Sequence, residues 1–104
     1  MYKLTVYVPS AYVHSVTDAI FAAGGGILGH YEKCFWETTG TGHFTPKEGS
    51  QPSVGSVGKA EKVEESRVEI LLENEVMEAC IAALKLAHPY ETPQWDIVAV
   101  ECSL

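Results

Sequence analysis

The chain has 104 residues, of which 46% are hydrophobic and 20% charged, so its composition is typical of one folded domain rather than a disordered segment. Fourteen acidic residues against seven lysines and arginines give a formal net charge of −7, which argues against a nucleic-acid partner. No apolar run approaches the ~20 residues needed to cross a bilayer, and the opening stretch does not resemble a signal peptide. We therefore expect a cytoplasmic protein that binds neither nucleic acid nor membrane.

The three cysteines, Cys34, Cys80 and Cys102, are widely spaced and odd in number. Such a set indicates neither a disulfide framework nor a CxxC zinc pair. We expect three reduced thiols, with Cys80 in the core. Neither Cys34 nor Cys102 has a local motif that would supply the base a cysteine nucleophile needs.

The first third of the chain predicts a strand followed by a helix. Residues 2–8 alternate between apolar and polar side chains, as a strand does. Pro9 ends this strand, and Ser10 is suited to cap a helix over 11–23. The apolar stripe of that helix comprises Val13, Val16, Ile20 and Phe21. The glycines at 24–26 then end the helix, since glycine readily adopts the left-handed conformation at a helix C-terminus.

A long irregular stretch separates the two halves of the chain. Residues 27–38 are rich in aromatic and β-branched side chains and predict a second strand. Residues 39–60 contain seven glycines and prolines and show no clear periodicity. Such a length without periodicity is unusual in a compact domain, so we expect a functional loop or an excursion with short strands of its own.

The second half of the chain repeats the order strand, helix, strand. Residues 63–73 alternate again, and Asn74 is suited to cap the helix that follows. The buried stripe of this helix would comprise Val76, Cys80, Ile81 and Leu84. Pro89 cannot continue the helix, and a last strand follows over 95–101.

This order predicts a single ferredoxin-like α+β domain over residues 1–104, with a long inserted loop at about 39–60. Such a βαββαβ fold is an antiparallel four-stranded sheet with both helices on one face. The other face would carry Tyr7, Leu71, Val98 and Val100. We expect this apolar face to pack on another subunit or on the long loop.

The topology should gather three segments at one end of the sheet: the turn after the first strand, the 39–60 loop, and the sequence HPYE at 88–91. They contain four candidate metal ligands, namely His14, His43, His88 and Glu91. Imidazoles with a carboxylate suit zinc or another divalent transition metal. However, none of these residues has the close spacing of a metal motif, and each histidine also has an ordinary structural role open to it.

The same end of the sheet is the predicted ligand site, with candidate residues His43, His88, Tyr90 and Glu91. Other motifs are weaker. The GTG at 40–42 lacks the GK[ST] of a phosphate-binding loop. The glycines at 24–26 follow a helix instead of opening one, so their amides are not aimed at a phosphate.

The segment GTGHFTPKEGSQPSVGSVGKAEKVEESRVE, with GHYEKCFWETTG before it and HPYETPQWDI after it, carries a family resemblance. Over essentially the whole length, the chain resembles the insertion domain of the YqfO, or Nif-three-like, proteins. The resemblance implies a fold similar to that of CutA and the P-II signalling proteins, whose ferredoxin-like subunits form trimers. The metal ligands of full-length members lie in two flanking α/β segments that are absent here, so the resemblance assigns no catalytic residue.

We therefore expect a non-enzymatic, oligomeric P-II/CutA-like module, with a trimer favoured, that binds a small ligand, a metal ion or a protein partner. No cofactor is certain, although a divalent transition metal is possible. One alternative is a metal-dependent enzyme with His43, His88 and Glu91 as ligands. Another is a structural lid for a separate α/β metal-binding protein.

Overall fold

The computed structural model describes residues 1–103. The strands are β1 (Tyr2–Pro9), β2 (Trp36–Phe44), β3 (Glu61–Leu72) and β4 (Trp95–Ala99), and the helices are α1 (Val13–Ala22) and α2 (Met77–Ala87). A short 3₁₀ turn precedes each helix, at Ser10–Tyr12 and Asn74–Val76. Within the described residues, neither helix has the length and hydropathy that a membrane span requires.

The four strands form one sheet in the order β2-β3-β1-β4, and every neighbouring pair is antiparallel. Strand β1 is central: Leu4 lies opposite Ile70 of β3 on one side and Ile97 of β4 on the other. Each helix connects two strands that have a third strand between them. This is the ferredoxin-like arrangement, and the predicted fold is confirmed.

The core lies between the two helices and one face of the sheet. The central strand contributes every second residue to it, so Leu4, Val6 and Val8 are all buried. The other fully buried apolar side chains include Val16, Ile20, Val68, Leu72, Cys80 and Leu84. Burial of each large aliphatic side chain stabilises the fold by about 1.5–3 kcal/mol. Most of the two predicted helix stripes lies in this core, with Phe21 and Val76 packed at its edge. Ile81 is the exception, because it is only half-buried and lies outside the core.

The strand predicted over 27–38 is wrong for most of its length. Leu28 and Tyr31 exchange two backbone hydrogen bonds of 2.9 Å, and Gly29 between them has a φ of 58°. This tight reversal turns the chain back, so β2 begins only at Trp36. Strand β2 then continues to Phe44, and the irregular loop spans 45–60 instead of 39–60.

Both predicted helix caps are also wrong, because a 3₁₀ turn stands where each cap was expected. The Ser10 hydroxyl lies 3.2 Å from the Ser66 hydroxyl, which donates to a carboxylate oxygen of Glu37 at 2.8 Å. Asn74 lies within the second 3₁₀ turn and makes no side-chain capping bond. Ser10 therefore takes part in a polar contact with β3 and β2 instead of capping α1. The helices are held in place by their packing on the sheet.

The face of the sheet away from the helices, here called the open face, is less apolar than expected. Lys3 and Arg67 both reach the Glu69 carboxylate, with nitrogen–oxygen distances of 3.3 and 3.4 Å. The pairing register brings these charges together, since Lys3 and Glu69 lie on the same face of adjacent strands, two positions apart in the register. Tyr7 and Leu71 are half-buried on this face, and Val98 is exposed.

The glycines at 24–26 end α1, as predicted. The Gly25 amide donates to the Ile20 carbonyl at 3.0 Å, and the Gly26 amide donates to the Leu71 carbonyl at 3.1 Å. A Cβ on Gly25 would lie only 2.8 Å from the side chains of Ile20 and Leu72. Gly25 therefore allows the end of the helix to pack directly against the sheet.

Replacing Gly25 with alanine should overpack the core, and we expect the free energy of unfolding to fall by about 1–3 kcal/mol. Gly40→Ala is a matched control, because a Cβ there has no heavy atom within 4 Å. The control should stay within about 0.5 kcal/mol of the wild type. Urea denaturation measures both variants, and equal losses would contradict the close packing at Gly25.

Candidate functional site

A cleft of about 240 Å³ opens at the end of the sheet where β1 ends and β4 begins. Its walls are the open face, the 45–60 loop and the turn that follows α2. The residues that define it are Tyr7, His43, Phe44, Glu65, Tyr90 and Glu91. The long loop and HPYE therefore lie together, as predicted. Three of the four predicted ligand-site residues, His43, Tyr90 and Glu91, line the cleft.

The 45–60 loop is fastened at its base and at one point along its length. The Gly58 amide donates to the carbonyl of buried Pro46 at 2.7 Å, which closes the loop on itself. The Gln51 amide donates to Oε1 of Glu91 at 3.2 Å. Glu91 thus ties the loop to the turn after α2, and this tie forms one wall of the cleft.

His88 lies behind the cleft, where it is 6% exposed. Its Nε2 is 2.7 Å from the Tyr7 carbonyl oxygen, and the Tyr90 amide donates to its Nδ1 at 3.1 Å. These two contacts assign the proton to Nε2 and make the imidazole neutral. Burial lowers the pKa of His88, although the Tyr7 carbonyl and the Glu65 carboxylate act in the opposite direction. The ring connects β1 to the turn and leaves neither nitrogen free.

Tyr90 extends from this turn against the open face. Its ring centroid is 5.0 Å from that of His88 and 6.2 Å from that of Phe44. The hydroxyl is buried, and it makes no hydrogen bond of standard geometry within residues 1–103. Burial raises the pKa of Tyr90 to about 12, and the nearby Glu65 carboxylate acts in the same direction.

Glu65 is the cleft residue that the sequence analysis missed. It is half-buried, and its carboxylate lies over Gly42, where a Cβ would overlap it. The signal was present in the period of β3: Glu65 lies opposite Pro9, two residues beyond Tyr7 and on the same face, at the end of β1 that leads to the cleft. Gly42 of the GTG motif therefore makes room for a carboxylate instead of binding a phosphate.

The four predicted metal ligands differ in burial and in their position relative to the cleft. Across the described part of the sequence, no group of three or more His, Cys, Asp or Glu side chains is placed to hold a metal ion. His14 is exposed on α1 and does not line the cleft, whereas His43 is exposed at its rim. Both ring nitrogens of His88 contact backbone groups, so neither is free to bind a metal in this geometry. The metal site built from His14, His43, His88 and Glu91 stays a prediction.

Several known proteins are similar to this chain in sequence or in structure. No protein-family model matches the chain. A GTP cyclohydrolase 1 type 2 homolog of Mycobacterium leprae is 45% identical over 98 residues, which cover 94% of this chain and 26% of that protein. A Bacillus cereus protein related to NIF3 superposes with a TM-score of 0.82 at 34% identity, over 97% of this chain and 26% of the other. The resemblance to the YqfO family is confirmed.

The fold is shared more widely than the sequence. CutA1 of Pyrococcus horikoshii superposes with a TM-score of 0.71 at 14% identity, and the match covers 100% of this chain and 87% of that one. The CutA/P-II-like fold is therefore confirmed as well. By contrast, the chain spans about a quarter of the length of the curated relatives it matches.

Truncating His88 should destabilise the domain because it leaves the Tyr7 carbonyl and the Tyr90 amide without their partner. We expect His88→Ala to lower the free energy of unfolding by about 2–3 kcal/mol, the cost of two unsatisfied buried groups. His14→Ala, at an exposed position, should change it by less than about 0.5 kcal/mol. Similar losses in urea denaturation of the two variants would contradict the bridging role of His88.

The same ring makes stability depend on pH. Since burial holds the pKa of His88 below its ordinary 6.5, the unfolded chain takes up a proton at higher pH than the folded one. The free energy of unfolding should therefore fall as pH is lowered from 6.5 through the folded-state pKa, and the full contribution is present above 6.5. His88→Gln cannot titrate, so its stability should fall less steeply in that range. Equal slopes in urea denaturation series would show that His88 does not cause the effect.

Proposed function

We propose that this chain is a non-enzymatic, oligomeric P-II/CutA-like module that binds a small ligand in the cleft. The observation that carries the proposal is the cleft itself. The 45–60 loop, the end of the sheet and the HPYE turn meet there, and they contribute aromatic and acidic side chains. His43, Tyr90 and Glu91 line the proposed site, and His88 holds its rear wall in place.

The chemistry of the cleft supports binding over catalysis. No cysteine lies among its lining residues. The imidazole best placed behind it, His88, is fully engaged with backbone groups and has no free nitrogen for proton transfer. His43 is exposed and has no hydrogen bond to a carboxylate in the described residues that would orient it as a base. These features favour recognition of a ligand that is left unchanged.

Strand β2 supports the proposal of an oligomer. Within residues 1–103 it is an edge strand, whose nine residues pair with β3 on one side and with no strand on the other. It contains neither the proline nor the lysine that commonly protects such an edge. Trp36 at its start is 68% exposed. We propose that a second copy of the chain covers this edge, and the resemblance to CutA and P-II proteins favours a trimer.

The second candidate function is a lid for a separate α/β metal-binding protein. It is favoured by one observation: the chain matches only about a quarter of the length of relatives such as the Mycobacterium leprae protein. In that case the same edge or cleft would contact the partner instead of another copy.

Light scattering tests the oligomer. We expect a trimer at micromolar concentration, and Trp36→Glu should shift the mass toward the monomer by placing a charge at the proposed interface. Tyr31→Glu is the control, because Tyr31 is 76% exposed but lies outside the strands. It should leave the mass unchanged.

A monomeric wild-type chain would contradict the proposed oligomer. If such a monomer gained mass on addition of the remaining part of the Bacillus cereus relative, the lid would become the better hypothesis.

A further inference from the structure

The cleft of the described chain is lined by negatively charged side chains without a lysine or arginine to balance them. Two carboxylates, Glu65 and Glu91, line it, and no lysine or arginine does so within the described residues. Arg67 borders the neighbouring depression on the open face, but it is paired with Glu69 at 3.4 Å. The chain as a whole carries a formal net charge of −7, which adds to the negative potential at the site.

The walls between the carboxylates are aromatic and apolar. Phe44 and Tyr90 are tilted against each other with centroids 6.2 Å apart, and Tyr7 lies beside them on the open face. Pro46 and Pro52 of the loop complete this lining. Aromatic faces next to carboxylates attract organic cations, since the ring quadrupole and the acid favour the same charge.

Two hydroxyl groups add hydrogen-bonding capacity to the lining. The hydroxyl oxygens of Ser50 and Tyr90 are buried; within the described residues that of Ser50 has no hydrogen-bond partner, whereas that of Tyr90 lies beside the Glu65 carboxylate. One belongs to the loop and the other to the turn, so they come from opposite sides of the cleft. Since buried polar groups are nearly always paired, a ligand in the cleft that donates hydrogen bonds would satisfy these oxygens.

We infer that the cleft takes up a small organic cation, an ammonium or guanidinium group on an apolar body. The charged group would lie between Glu65 and Glu91 and donate to the hydroxyl oxygens of Ser50 and Tyr90, and the apolar body would pack on Phe44 and Tyr90. This inference rests on the proposed binding function and names the ligand class for the same cleft. Glu65 is the residue that would set the charge preference, and Gly42 makes its position possible.

The cleft suits an organic cation better than it suits an anion or a bare metal ion. An anionic ligand would meet two carboxylates without a lysine or arginine to balance them. A transition metal would use few of the aromatic contacts, and the described acids and histidines do not form a ligand group. An organic cation uses the carboxylates, the aromatic walls and the hydroxyl oxygens together.

Three 4-substituted phenols that differ in charge test whether the cleft prefers a cation: tyramine is cationic, 4-ethylphenol is neutral and 4-hydroxyphenylacetate is anionic. Titration of ¹⁵N-labelled protein would be followed by NMR at the backbone amides of Gln51 and Tyr90. We expect saturable shifts with tyramine and an affinity at least about tenfold above that for 4-ethylphenol. The anion should bind more weakly still.

Matched variants then test the role of Glu65. Glu65→Gln keeps the shape of the side chain and removes its charge, so it should weaken tyramine binding about tenfold and leave 4-ethylphenol unchanged. Glu64→Gln removes the same charge from an exposed position on the opposite face of β3 and should not alter either affinity.

The possible results separate the ligand class from the binding function. If 4-ethylphenol or 4-hydroxyphenylacetate shifted the cleft amides as tightly as tyramine, the cation preference would be overturned and the binding function would stand. If none of the three shifted those amides at millimolar concentration, both the inference and the proposed site would be rejected. Equal losses of tyramine affinity in the two variants would reject Glu65 as the determinant.

Discussion

The imidazole of His88 joins the central strand to the turn that follows α2, and the geometry of the cleft depends on that bridge. Its Nε2 lies 2.7 Å from the Tyr7 carbonyl and its Nδ1 accepts from the Tyr90 amide at 3.1 Å. The turn is thereby held against the sheet, which sets the position of Tyr90 and Glu91. Glu91 in turn accepts from the Gln51 amide, so the same bridge also locates the loop.

The fold could be predicted because its signals are local and repeated. Alternation in β1 and β3 placed apolar side chains such as Leu4 and Val68 on one face, and the two helices supplied the rest of the core. The caps and the start of β2 could not be predicted. Aromatic residues at 27–35 suit a strand, but a backbone reversal at Leu28–Tyr31 overrides their propensity. A hydroxyl such as that of Ser10 can cap a helix or bond to another strand, and only tertiary packing decides which.

The site could be located from the sequence more easily than its chemistry. Topology alone brought the loop and HPYE to one end of the sheet. The role of His88 depends on burial and on two backbone partners, neither of which is visible in a four-residue motif. The period of β3 separates Glu65 from Glu64, which lies on the opposite face, but nothing local separates it from Glu69. Its importance arises from Gly42 on the next strand, which leaves the space that the carboxylate occupies.

The hydrogen bond between Gly58 and Pro46 has a consequence for how such a domain can diversify. Because the two ends of the loop meet at that 2.7 Å contact, residues 47–57 can change in length or composition without altering the pairing of β2 with β3. Lengthening a closed loop is inexpensive, at about 0.6 kcal/mol per doubling. The loop wall of the cleft can therefore vary during evolution while the sheet and Glu65 stay constant. Related domains could in this way acquire different ligands on the same fold.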